Sequence, residues 1–138
     1  MSPELELVQQ WLEHAAVDLR VAELSLADHP PVCKAACFHC QQAVEKSLKA
    51  FLIHRDMVFE WTHEIEYLLE LCDKQDEAFS QWHPSASPLS VYAVRFRYPY
   101  AGPAPTPEEA RAALDVARGV YEFVLERLPA EAHPRRQS

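Results

Sequence analysis

The sequence predicts an all-α fold, an antiparallel (up-and-down) four-helix bundle with one short additional helix, and three observations carry the prediction. Two glycines in 138 residues are too few for a β-rich fold, which needs glycine for hairpins, bulges and turns with positive φ, and too few for a dinucleotide-binding α/β design. The eleven prolines fall at positions 3, 30–31, 84–88, 99–107, 129 and 134, leaving four long stretches in which helices can run uninterrupted. Within those stretches apolar residues recur every three or four positions, the period of one helix face. With 49% apolar side chains the chain can bury one core and not two, so one domain over residues 1–128 is expected, followed by a flexible tail over 129–138 with almost nothing to bury.

The first helix is predicted near 4–27, because Leu5, Val8, Leu12, Ala15, Leu19, Ala22 and Leu26 form an unbroken stripe that stops at His29-Pro30-Pro31. The second, 32–54, carries Cys33, Cys37, Cys40, Val44, Leu48, Phe51 and Leu52 on one side, with Gln42, Lys46 and Lys49 assigned to a solvated face. Gln41 interrupts its apolar side, so either its amide is hydrogen-bonded in the core or that side is not wholly buried. Thr62 is the expected N-cap of a third helix, 62–73, with Ile65, Leu68, Leu69 and Cys72 as its stripe and His63 in its first turn. Trp82 to Pro88 reads as loop. Leu89, Tyr92, Ala93 and Phe96 resume helical spacing over 88–97, a proline-rich connector covers 98–105, and the last helix, 107–128, opens with Thr106 as N-cap, Pro107 behind it and Glu109 completing a capping box.

Thirteen basic against 21 acidic residues give a net charge of −8, which argues against a surface holding duplex nucleic acid by charge alone. No apolar run approaches the length of a membrane span and the acidic N-terminus is unlike a secretory signal, so no membrane association and a cytoplasmic location are expected. The four cysteines then read as small buried thiols. Cys33, Cys37 and Cys40 share a helix side, but His39 is rotated away from them, so no metal site is expected, nor any cofactor.

Five blocks stand in a recognisable order: Trp11-x3-Ala15-x2-Asp18-Leu19-x2-Ala22; Phe38-x2-Gln41-Gln42-Ala43-Val44-Glu45-Lys46-x-Leu48-Lys49-Ala50; Thr62-His63-x-Ile65; Tyr92-x4-Arg97-Tyr98-Pro99; and a helix opening Glu108-Glu109-Ala110. Together they resemble a HEPN domain, the higher-eukaryote and prokaryote nucleotide-binding family, over roughly residues 8 to 128. The resemblance implies a bundle of four main helices with a short extra one and a homodimer. It also implies a nucleotidyltransferase-type protein encoded alongside, in pairs that often resemble toxin–antitoxin modules. Some members are metal-independent ribonucleases whose site is an arginine, four to six residues, then a histidine. Here that window holds Gly102, Pro103 and Ala104 counted from Arg97, or Tyr100, Ala101 and Gly102 counted from Arg95, and the next histidine is His133. The proton-transfer residue is missing from its place.

Arg95, Arg97, Tyr98, Lys46 and Lys49 are the candidates for holding a nucleotide or RNA phosphate, through guanidinium or ammonium contacts and aromatic stacking. Asp18, Gln41 and Glu45 read as structural polar groups, and Arg97 is expected to reach back to Asp18 or Glu45. Three functions follow: a nucleotide- or partner-binding subunit acting with a nucleotidyltransferase; a ribonuclease using Arg95 or Arg97 with His63 as an unorthodox base; or a purely structural dimeric bundle. Trp11, Trp61 and Trp82 are the candidate interface anchors.

Overall fold

In the computed structural model, which describes residues 1–98 and 102–135, one helix runs through the middle of the bundle and the others pack around it. That helix, α2 (Cys33–His54), touches α1 (Pro3–Ala27), α3 (Ile65–Gln75), α5 (Val91–Arg97) and α6 (Pro107–Leu125). Its central place follows from its composition: Ala36, Cys37, Cys40, Ala43, Val44, Leu48, Ala50, Phe51 and Leu52 are buried on nearly every side. Among the described residues there is no strand, and no helix is long and apolar enough to cross a membrane.

The starts of α1 and α6 follow from local chemistry. Ser2 accepts from the Leu5 amide at 3.1 Å with Pro3 in the first turn, and Thr106 accepts from the Glu109 amide at 3.1 Å with Pro107 behind it. The buried side of α1 is Val8, Leu12, Ala15, Leu19 and Ala22, with Asp18 among them.

The third helix departs from expectation. Thr62 does not cap it; its hydroxyl accepts from the Glu64 amide at 3.0 Å, and α3 begins only at Ile65. His63 lies outside the helix because α2 holds it at two points. Its carbonyl accepts from Gln41 Nε2 at 3.1 Å, and its ring meets Glu45 at 2.7 Å. The first amide of α3 is satisfied from across the fold, by Ser90 Oγ at 2.9 Å from Ile65 N.

The predicted loop at 82–88 is instead helical. A 3-10 turn over Glu77–Trp82, a short α4 (His83–Ala86) and a second 3-10 turn over Ser87–Ser90 lead directly into α5. Pro84 and Pro88 sit in first turns, where a missing N–H costs nothing. What anchors the segment is tertiary. Phe79 and Ala86 are buried, and the Trp82 ring lies against Gly119 of α6 so closely that a Cβ there would come within 2.6 Å of it. Trp82, a candidate interface anchor, is half-buried here, edge-on to Phe123.

α6 ends at Leu125, three residues earlier than expected, but Leu128 and Ala132 beyond it are buried. Ala132 is thus a buried residue within the segment expected to bury almost nothing. His133 Nε2 reaches the carbonyls of Leu125 and Leu128 at 2.7 and 3.2 Å, and Gln9 Nε2 donates to the carbonyls of Glu131 and His133. His133 closes the exposed end of α6 and fastens the segment to α1. The end of the tail, 136–138, and the stretch 99–101 of the proline-rich connector lie outside the described residues.

Candidate functional site

Two polar assemblies flank α2, one at its middle and one near its start. The first is built on Glu45 and Asp18, both buried. Glu45 Oε2 accepts from Lys49 Nζ at 3.0 Å, and Oε1 is met by Gln41 Nε2 at 3.1 Å and His63 Nδ1 at 2.7 Å. Gln41 Oε1 in turn accepts from Gln42 Nε2 at 2.6 Å. Gln41, Glu45 and Lys49 lie four residues apart, so one row of the helix carries the network. The Gln41 amide is therefore satisfied inside the core, the first of the two alternatives its position left open.

Lys49 is not on a solvated face. It is fully buried, with its ammonium 4.7 Å from the Trp61 ring centroid and 5.6 Å from that of Trp11. Trp61, itself 80% exposed, roofs the charge and Trp11 lines its side, so the cation trades water for a carboxylate and two π faces. Asp18 is held similarly across the α1–α2 contact, by Lys46 Nζ at 2.7 Å and His39 Nδ1 at 2.8 Å. Lys46 is therefore also tied to a carboxylate.

Arg97 does not reach either carboxylate. Lysines and histidines close at hand on α2 and at His63 already fill both, while Arg97 sits exposed at the end of α5. The same end of α5 lies near the start of α2, where Phe96 stacks on Phe38 with ring centroids 4.2 Å apart. Tyr98, which closes α5, is 61% exposed.

The second assembly is a cleft beside that stack. Lys34, Tyr92, Arg95 and Phe96 line it together with Gly102, Pro103, Ala104 and Pro105, around a cavity of about 110 Å³. Arg95 Nε is buried without a hydrogen-bond partner among the described residues. The guanidinium lies flat on Gly102, where a Cβ would stand 3.0 Å from Nε, and φ there is +135°, a conformation open to glycine alone. Tyr92 faces the Cys37 thiol; burial pushes the tyrosine up to about 12 and the thiol up to about 11. Both stay neutral at physiological pH; Lys34 and Arg95 are the charged residues that line the cleft, and the Glu109 carboxylate acts on its Tyr92–Cys37 side.

Two of these lining residues escape sequence reasoning. Lys34 falls on the apolar side of α2 by chain order but at its first turn, where the bundle is open. Gly102 was visible only as the residue standing where a ribonuclease histidine would stand. The structure shows that this window, Gly102 to Ala104, lines the very cleft that holds Arg95.

His63 belongs to the other assembly. Lys34 at the cleft and Glu45 beside His63 are eleven residues apart on α2, about 16 Å along a helix rising ~1.5 Å per residue. One chain therefore does not bring His63 together with Arg95. Cys37, Cys40 and Cys72 are buried and Cys33 half-buried; among the described residues no three histidine, cysteine or acidic side chains converge as metal ligands, and His39 is turned to Asp18.

The fold and these assemblies define a helical-bundle domain with a cleft that Lys34 and Arg95 line. The HEPN domain model matches residues 8–128, and the chain belongs to the HEPN domain family. Its fold is similar to that in the crystal structure of TT1696 from Thermus thermophilus, with 34% sequence identity over 89% of this chain and 99% of that one and a TM-score of 0.72. No curated protein shows a significant match.

Proposed function

We propose that this protein is a binding subunit of the stand-alone prokaryotic HEPN type. It takes the phosphate of a nucleotide or RNA in the Arg95 cleft and acts in the cytoplasm beside a nucleotidyltransferase partner, in a toxin–antitoxin-like pair. The observation that carries the ligand half is the convergence of Lys34 and Arg95 on a cavity sized for a small anion with a few waters. Arg97 and Tyr98, exposed at the end of α5, would meet the rest of a nucleotide by charge and stacking. The partner half rests on family membership and on what the motif blocks imply. Lys46 and Lys49, tied to Asp18 and Glu45, take no part in phosphate binding.

Titration calorimetry with ATP, GTP and a short RNA tests the reading. Binding of at least one, lost in Arg95→Ala and weakened in Lys34→Ala with the melting temperature unchanged, is expected. Co-purification with the product of an adjacent nucleotidyltransferase gene tests the partner. No binding of any of the three ligands and no association at micromolar concentration would leave the structural bundle as the better reading. The ribonuclease alternative draws less support, since its base and its cation sit in separate assemblies; RNA cleavage abolished by His63→Ala would reinstate it.

A further inference from the structure

The Arg95 cleft is too small for a whole nucleotide. Its cavity of about 110 Å³ lies well below the roughly 300 Å³ at which pockets begin to enclose a small molecule, so one group of a ligand enters and the rest stays outside. The lining offers that group two cations, Lys34 from the first turn of α2 and Arg95 from the last turn of α5. Arg95 Nε is covered by Gly102. What the guanidinium offers a ligand is therefore its two terminal nitrogens, a pair that grips two oxygens of one phosphate.

We infer that the group taken is a terminal phosphate, a phosphomonoester at the end of an RNA or on a mononucleotide, and that the cleft discriminates against the phosphodiesters inside a chain. The inference deepens the phosphate reading above and rests on it. Oxygen count favours the monoester, which has three terminal oxygens, two for Arg95 and one for Lys34, where a diester has only two. Charge favours it as well, since a monoester carries about −1.5 to −2 at pH 7 against about −1 for a diester, and here it meets two cations. Shape adds a third reason: a diester must bring a sugar in on each side, while an end group enters head first. On the Tyr92–Cys37 side the Glu109 carboxylate adds a negative charge, which a second phosphate running past the first would meet as repulsion.

The test is titration calorimetry on the full chain with a short RNA of one sequence prepared in three forms, with hydroxyls at both ends, with a 5′-phosphate and with a 3′-phosphate, and with AMP beside them. A phosphorylated form or AMP is expected to bind at least about tenfold tighter than the unphosphorylated RNA, the worth of one further charge-assisted hydrogen bond. AMP as tight as the better phosphorylated RNA assigns the phosphate to a mononucleotide, and AMP clearly weaker assigns it to an RNA end. Lys34 is exposed, so Lys34→Ala should leave the melting temperature unchanged while cutting the preference to about threefold or less, because the third oxygen loses its partner. A preference undiminished in Lys34→Ala would overturn the inference. Equal affinity for all three RNA forms, lost in Arg95→Ala, would overturn it too and leave the phosphate reading standing, whereas no binding of any of the four ligands would remove both.

Discussion

Glu45 and Asp18 have the same kinds of partner, one lysine and one histidine each, but differ in how the lysine is housed. The Lys49 side chain is 1% exposed and that of Lys46 is 20% exposed. Glu45→Ala therefore strands a buried ammonium that cannot turn to water, and should cost about 3–5 kcal/mol in chemical denaturation. Asp18→Ala leaves Lys46 and His39 free to hydrate and should cost clearly less, about 1–2 kcal/mol. Equal losses would show that the Trp11–Trp61 housing contributes nothing. Both carboxylates were legible in the sequence as acids too close to apolar stripes to be solvated. Their partners were not, because the interhelix register and the placement of His63, rather than spacing along one helix, decide which cation arrives first; that is why Arg97 was expected where lysines stand. Asp76 shows a smaller version of the same chemistry. Its carboxyl is held below the usual range by the Ala78 amide it accepts from and by Arg127 at 2.8 Å. A carboxyl lowered on folding stabilises above its unfolded value, near ~4, and loses that stability as pH falls through its folded value. The melting temperature should thus fall on the acid side below about pH 4, and Asp76→Asn should flatten that limb without altering the neutral plateau's shape.

At the scale of elements, α1, α2 and α6 are legible because their signals are local: Ser2 and Thr106 cap from three residues away and the stripes need only the helix period. The stripe of α3 is legible in the same way, but its start is not, nor is α4, because their determinants are distant in sequence. Ile65 N depends on Ser90, and the 77–90 segment depends on Trp82 finding a glycine on α6. Ser90→Ala should cost about 0.5–2 kcal/mol, the range of a lost N-cap, with faster amide exchange confined to the first turn of α3. Gly119→Ala sets two effects against each other. Helix propensity favours alanine by about 1 kcal/mol, while a Cβ 2.6 Å from Trp82 must displace a ring wedged against Phe123, an overpacking cost of about 1–3 kcal/mol. The net is expected to be destabilising. Trp82→Phe, which removes the colliding atoms, should make the same Gly119→Ala change neutral or favourable, and a double-mutant cycle measured by thermal denaturation would show it.

Over the whole molecule, charge and thiol chemistry describe where the chain can meet a ligand. Burial pushes Cys37 up to about 11, Cys40 up to about 12 and Cys72 further still, so a thiol reagent at pH 8 should label the native protein only at half-buried Cys33, and all four after unfolding. A surface carrying −8 overall repels polyanions except where cations are gathered, and the cleft gathers two, Lys34 and Arg95, with Arg97 exposed at the end of the same helix as Arg95. Ligand binding should then depend on salt as two or three neutralised phosphates require, a slope of log K against log salt near about −1.4 to −2.1 for single-stranded RNA. The measurement is a titration of a fluorescent oligonucleotide across ionic strength, with Lys34→Ala, the variant that keeps weakened binding, alongside. A shallow slope that loses about 0.7 in the variant assigns the contact to the cleft. A slope steeper than about −4 would mean that an extended basic surface, not this cleft, carries the RNA, because no two or three side chains release that many counterions.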